Sequence, residues 1–221
     1  MAEDSSKTFT HLFGGYHSAE ARHWVNPDGS EGGIVATSAT VADGVTIPAS
    51  AEVWPGASIG DRASIGYRAS IGDRASIGHH AIIGDRASIG HHAIIGYRAI
   101  IGYRASIGDR ASIGHHAIIG DRASIGDHAI IEAEDWMFVA GPQGSRNAWA
   151  TVVWSAEHGL RWWVGCQHGI DTATLKSRVE DEHGATDHGD DYRHLIAMVE
   201  SHPGLARAKA AHAAKIAEPA R

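Results

Sequence analysis

Histidine, arginine and tyrosine recur in this chain at fixed intervals, and they are the side chains that could do chemistry. His-His pairs stand at 79–80, 91–92 and 115–116. Clustered imidazoles suit a zinc site or a general base. Arg68, Arg86, Arg104 and Arg122 fall eighteen residues apart, each directly after Tyr or Asp. Guanidinium groups in a row suit oxyanions such as phosphate. Further along, Cys166-Gln167-His168 puts a thiol near an imidazole, and acidic residues cluster with His at 180–183 and 187–191. Each has a plainer reading. A buried strand cysteine and a hydrated acidic loop between helices account for these two. Residues 141–146 read Gly-Pro-Gln-Gly-Ser-Arg, without the Lys-Ser/Thr ending of a phosphate loop, and suit a hairpin turn.

The periodic residues are carried by one repeated phrase. Twelve consecutive hexads, 57–128, read Ala, Ser or Ile, Ile, Gly, then Asp, Tyr or His, then Arg or His. Ala129-Ile130-Ile131 starts a thirteenth, which loses the Gly. Repetition at a fixed short period means a solenoid. Ala-Ser/Ile-Ile predicts a short strand with Ala and Ile facing inward and Ser or Ile facing outward. Gly and the two polar residues predict a corner, with Gly supplying positive φ and close backbone approach. Three sides and three corners make a triangular coil of eighteen residues, stacked about 4.8 Å apart. From residue 39 the register is present but degenerate, with Val41, Ile47 and Val53 in the Ile slot. Terminal repeats are expected to be atypical.

Folding the chain every eighteen residues sorts the candidates into columns. One outward column reads Ser64, Ile82, Ile100, Ile118; another reads Ser70, Ser88, Ser106, Ser124; the third reads Ser58, Ser76, Ile94, Ser112, Ile130. Stacked outward isoleucines mark a contact face. Ile82, Ile100 and Ile118 are therefore candidate subunit-interface residues, the alternative being that C-terminal helices cover them. The second corner carries the four-Arg ladder, a candidate anion site or a solvated edge neutralised by its neighbours. Zinc fits poorly. His79 and His115 lie two coils apart, about 9.6 Å, with Tyr97 between them, and His91 sits on another corner. No metal and no cofactor is expected.

Ile59-Gly60-Asp61-Arg62-Ala63-Ser64 resembles the hexapeptide repeat of the left-handed β-helix superfamily, known from trimeric acyltransferases and γ-type carbonic anhydrases. The resemblance implies a left-handed coil and a homotrimer. It also implies, for a transferase, a His general base in a cleft between subunits; His79, His91 and His115 are candidates by residue type alone. Such transferases usually interrupt the repeat with a loop, and this repeat is uninterrupted. The γ-type carbonic anhydrase ligand spacing is not reproduced. The expected function is a non-catalytic, self-associating scaffold, with an acyl- or acetyltransferase as the alternative and a carbonic-anhydrase-like metal protein as a further one.

The expected fold class is mainly β: a parallel left-handed β-helix followed by a small α+β domain. Residues 1–38 read as a loose lead-in and a hairpin cap around Asp28-Gly29. Residues 39–134 form the solenoid, and 135–221 the C-terminal domain. In that domain three Trp- and Val-rich strands precede helices near 172–183, 190–201 and 204–217. It could shield an open strand edge or dock a protein partner. Net charge is −7 and pI about 6.2, which disfavours nucleic acid. The single cysteine excludes an intrachain disulfide. No apolar run approaches the ~20 residues of a membrane span, and residues 1–7 lack a signal peptide's pattern, so a cytoplasmic protein is expected.

Overall fold

A computed structural model describes residues 7–132, 135–143, 148–164 and 167–217. The chain forms two compact units, Met1–Ala133 and Glu134–Arg221. The first is a hexapeptide-repeat left-handed β-helix, and the second a small α+β unit. Among the described residues no helix is long and apolar enough to cross a membrane.

The solenoid is built from two-residue strands: β4 (Thr40–Val41), β5 (Glu52–Val53), then β6 (Ser58–Ile59) through β18 (Ile130–Ile131), one per hexad from β5 onward, with an isolated Thr46–Ser64 bridge between β4 and β5. They pair in parallel at a register of eighteen. Ile82 pairs with Ile100 and Ile100 with Ile118 on one face, Ser88 with Ser106 on the second, and Ile94 with Ser112 on the third. Ala and Ile point inward as the pattern demands: Ala99, Ile101, Ala105 and Ile107 are buried, and Ile stacks over Ile along a dry axis. Dispersion and apolar burial along that axis hold the stack, and ladder bonds fix its spacing.

The corners depart from expectation in one respect. Positive φ belongs to the Arg or His that ends each hexad, not to its Gly: Arg62 has φ 56° and His116 φ 62°. The turn closes when Ala63 N–H donates to the Gly60 carbonyl, 3.2 Å away. Its third residue must be left-handed, a position that Gly or Asn favours and that costs an ordinary residue roughly 1–2 kcal/mol. Gly56 fills the same slot in the degenerate coil, at φ 69°. The repeat glycines serve clearance instead. A Cβ on Gly102 would lie 2.6 Å from the Asp121 backbone nitrogen of the next coil.

Residues 7–20 are not a loose lead-in. β1 (Phe9–Phe13) and β2 (His17–Val25) form an antiparallel hairpin, and β2 pairs with β3 (Glu31–Ala36). β3 then runs parallel to β5, so the hairpin prolongs one solenoid face. The Asp28-Gly29 turn joins β2 to β3 as expected. Asn26 pins it: its buried Oδ1 accepts the Ile47 N–H at 2.9 Å. Phe13, Ala21, Ala36 and Trp54 form a small core there.

Among the described residues the C-terminal unit has four antiparallel strands, one more than expected: β19 (Trp136–Gln143), β20 (Ala148–Ser155), β21 (Gly159–Val164) and β22 (Gln167–Asp171). α1 (Thr172–Glu182) starts where Asp171 Oδ1 accepts the Thr174 N–H at 2.7 Å, and that bond holds the Asp171 carboxyl below the usual aspartate range. α2 spans Asp187–Glu200, three residues longer at its start than expected, because Thr186 caps it. α3 spans Pro203–Ala217, with Pro203 as its first residue. Ala150, Val152, Trp162 and Val164 pack against Leu175, Val179, Leu195, Ile196 and Val199 to make the core.

Candidate functional site

Each corner presents two side chains per coil, and the first of them has a structural task. His79 Nδ1 accepts the Asp61 N–H at 3.0 Å, His91 Nδ1 the Asp73 N–H at 2.9 Å, and His115 Nδ1 the Tyr97 N–H at 2.8 Å. Aspartates in the same slot do the same with Oδ1: Asp85 accepts from Tyr67 and Asp121 from Tyr103, both at 2.8 Å. His and Asp interchange along the repeat because each places an acceptor at the right reach for the coil below.

This geometry fixes the chemistry of His79, His91 and His115. A neutral imidazole carries one proton. With Nδ1 accepting, that proton sits on Nε2, which is then a donor and not a base. The three candidate general bases are thereby brought into the wrong tautomer. They also stay apart, on two different edges. Among the described residues, no three His, Cys, Asp or Glu side chains gather as metal ligands.

The second side chain of each pair reaches outward. On the first edge His80 and His116 meet Tyr97 edge-on, at ring distances of 5.7 and 5.4 Å, and Arg98 lies over the same ring at 5.0 Å. On the second edge the ladder predicted from sequence is assembled. Arg68 stacks on Tyr67 at 5.2 Å, Arg104 on Tyr103 at 5.1 Å, and Arg122 reaches Tyr103 at 6.0 Å. Arg86 Nη1 donates to the Tyr103 hydroxyl at 3.3 Å. Ile82, Ile100 and Ile118 form an outward stripe, 45%, 36% and 65% exposed.

The acidic clusters lie on helices rather than in a loop. Arg193 answers them, donating to Glu180 at 2.8 Å and Asp190 at 2.7 Å, which raises its own affinity for its proton. Cys166 lies outside the described residues, as do 144–146 of the expected 141–146 turn. Sequence reasoning missed an aromatic cluster around Trp54. That ring meets His91 at 5.0 Å, Tyr16 at 5.6 Å, Phe13 at 5.7 Å and His17 at 6.0 Å. The signal was Trp54 standing in a Gly slot of the register.

A family model described as GMPPB C-terminal domain matches residues 41–137. No curated protein matches the chain. Among solved structures, the acetyltransferase domain of PglB from Neisseria gonorrhoeae, in complex with acetyl coenzyme A, is 20% identical, with a TM-score of 0.42. The match covers 48% of this chain and 53% of that one, so the chain spans about half its length. A putative acetyltransferase from Bacillus cereus is 16% identical over 74% of this chain and 91% of that one, with a TM-score of 0.32. A hexapeptide transferase family protein from Anaplasma phagocytophilum is 15% identical over 79% and 94%, with a TM-score of 0.21.

Proposed function

We propose that the chain is a rigid, self-associating solenoid scaffold. The observation that carries this reading is the ring hydrogen bonding of His79, His91 and His115, which gives each histidine the same coil-to-coil duty as an aspartate. An active site requires particular residues at particular places, and this wall has interchangeable ones. The outward Ile82, Ile100 and Ile118 supply the contact face, and a second copy of the chain is the partner. We infer a trimer, the arrangement that the superfamily resemblance implies. Ile100→Arg puts a charge at the middle of the stripe, where burial against a partner is costly. Light scattering of this variant is expected to give the monomer mass, against a multiple of it for the parent chain. An unchanged mass would remove the stripe from the interface.

A second reading is a hexapeptide-repeat acetyltransferase acting between subunits, the activity for which the solved neighbours are named. Those neighbours suit this reading better than the first, while the ring hydrogen bonds suit the first better. A transferase here would draw its base from His80, His92, His116 or His128, at the outward corner positions. Calorimetry with acetyl coenzyme A separates the two. The scaffold reading expects no saturable heat. Micromolar binding, with transfer lost in His116→Ala or His80→Ala, would establish the enzyme.

A further inference from the structure

Every hexad from 57 to 128 ends in Arg or His, and each of these residues is held at φ between 53° and 62°. Gly or Asn would adopt that backbone with less strain, as Gly56 does in the preceding coil. A local rule broken identically at every corner points to what the side chains present. On the second edge they present cations only. Arg68, Arg86, Arg104 and Arg122 are all exposed, one per coil. Their rungs are locked together: Arg86 N–H donates to the Tyr67 carbonyl at 2.7 Å, Arg104 to Asp85 at 2.9 Å and Arg122 to Tyr103 at 2.8 Å. Tyrosine fixes the heads of Arg68 and Arg104 by stacking and that of Arg86 by its hydroxyl. The serine column, Ser70, Ser88, Ser106 and Ser124, runs along the strands that leave this corner, one hydroxyl per rung.

We propose that this second edge is a docking line for a linear acidic polysaccharide. The charge forms a line rather than a broad patch, which fits a single chain of anions. The cations advance about 4.8 Å per rung, close to the length of one pyranose unit. A B-form strand instead spaces its phosphates about 3.4 Å along the axis. Single-stranded nucleic acid binds by stacking bases on open aromatic rings, and Tyr67 and Tyr103 already carry Arg68 and Arg104 on their faces. Guanidinium pairs with carboxylate as it does with phosphate, so the spacing and the line of hydroxyls favour the sugar chain. The serine hydroxyls both donate and accept, which matches sugar hydroxyls beside the charges. Asp85 and Asp121 stand within the ladder, each with one carboxylate oxygen engaged by a backbone N–H.

The test is calorimetric titration of the full chain at low salt with polygalacturonate, with inorganic polyphosphate and an oligothymidylate as competing probes. The chain is expected to bind polygalacturonate tightest and to release it as salt rises. Combining Arg68→Asn, Arg86→Asn, Arg104→Asn and Arg122→Asn should weaken binding at least about tenfold, since four charge-assisted contacts are removed. Asn accepts the left-handed backbone, so circular dichroism of this variant should match the parent. Arg62→Asn with Arg98→Asn, on the first edge, should leave binding unchanged. The proposal is overturned if polygalacturonate does not bind, if the four-Asn variant binds as well as the parent, if the first-edge variant loses as much, or if either competing probe binds more tightly.

Discussion

Replacing Gly102 by Ala will disrupt the solenoid, whereas replacing Arg104 by Gly, two residues later in the same corner, will leave it intact. The first substitution adds a single carbon. It would stand 2.6 Å from both the backbone nitrogen and Oδ1 of Asp121, and 2.7 Å from the Gly120 carbonyl carbon. The side chain can swing away; the backbone cannot. The coil above is held on this corner by Gly102 N–H donating to the Ile119 carbonyl at 2.8 Å and by Arg122 N–H donating to Tyr103 at 2.8 Å. Lifting it breaks those bonds and parts Ile101 from Ile119. The loss should reach or exceed about 3 kcal/mol, the upper end of ordinary overpacking. Arg104→Gly removes a left-handed strain of roughly 1–2 kcal/mol while adding freedom to the unfolded chain, so its net effect should be small. Thermal unfolding of the two variants beside the parent reads both outcomes. Equal losses would mean that the corner has been misassigned.

A carboxylate at the axis will do comparable damage, but locally. Ile101→Asp exchanges a fully buried side chain for a charge with no partner between Ile83 and Ile119. Loss of the apolar contact and desolvation of the carboxylate together should exceed about 4 kcal/mol. In a solenoid each coil contacts only its neighbours, so stability is close to a sum along the stack. The substituted coil and those beside it should lose protection. The coils next to the N-terminal hairpin, anchored through Val35, Val53 and Ile71, should keep theirs. Amide hydrogen exchange resolved by residue would display that gradient. Uniform loss along the unit would mean that the stack unfolds as one body.

The solenoid was legible because its code is redundant. Ile59, Ile77, Ile95 and Ile113 stand eighteen apart, and only one winding brings them into register. The corner was legible only by half. Gly draws attention to positive φ, and nothing in the residue type Arg announces a left-handed backbone, so the residue pattern puts the strain on the wrong residue. Residues 9–13 carried a period-two signal, with Phe9, His11 and Phe13 on one face and Gly14-Gly15 as a turn. A polar neighbourhood masked it. The early start of α2 was hidden by Gly189 and by an acidic run that reads as loop. Thr186 as cap and Asp187 and Asp190 in the first turn explain it, since carboxylates favour a helix N-terminus.

The outward isoleucine stripe and the Arg ladder followed directly from the columns, because their positions need only the period. The histidines did not. Residue type offered His79, His91 and His115 as bases, and only the placement of the neighbouring N–H groups reveals their tautomer. Asp in the same hexad position, at 85, 109, 121 and 127, was the signal in the sequence that the slot asks for an acceptor.

That tautomer is the point at which a scaffold and a catalyst differ most. Nitrogen-15 NMR of the histidine rings at pH 8, assigned by substituting His79, His91 and His115 one at a time, reads which ring nitrogen holds the proton. A scaffold requires protonated Nε2 and an unprotonated, hydrogen-bonded Nδ1 at all three positions. Protonated Nδ1 with Nε2 left as a free base at any one of them would contradict it, and would return that histidine to the candidate catalysts.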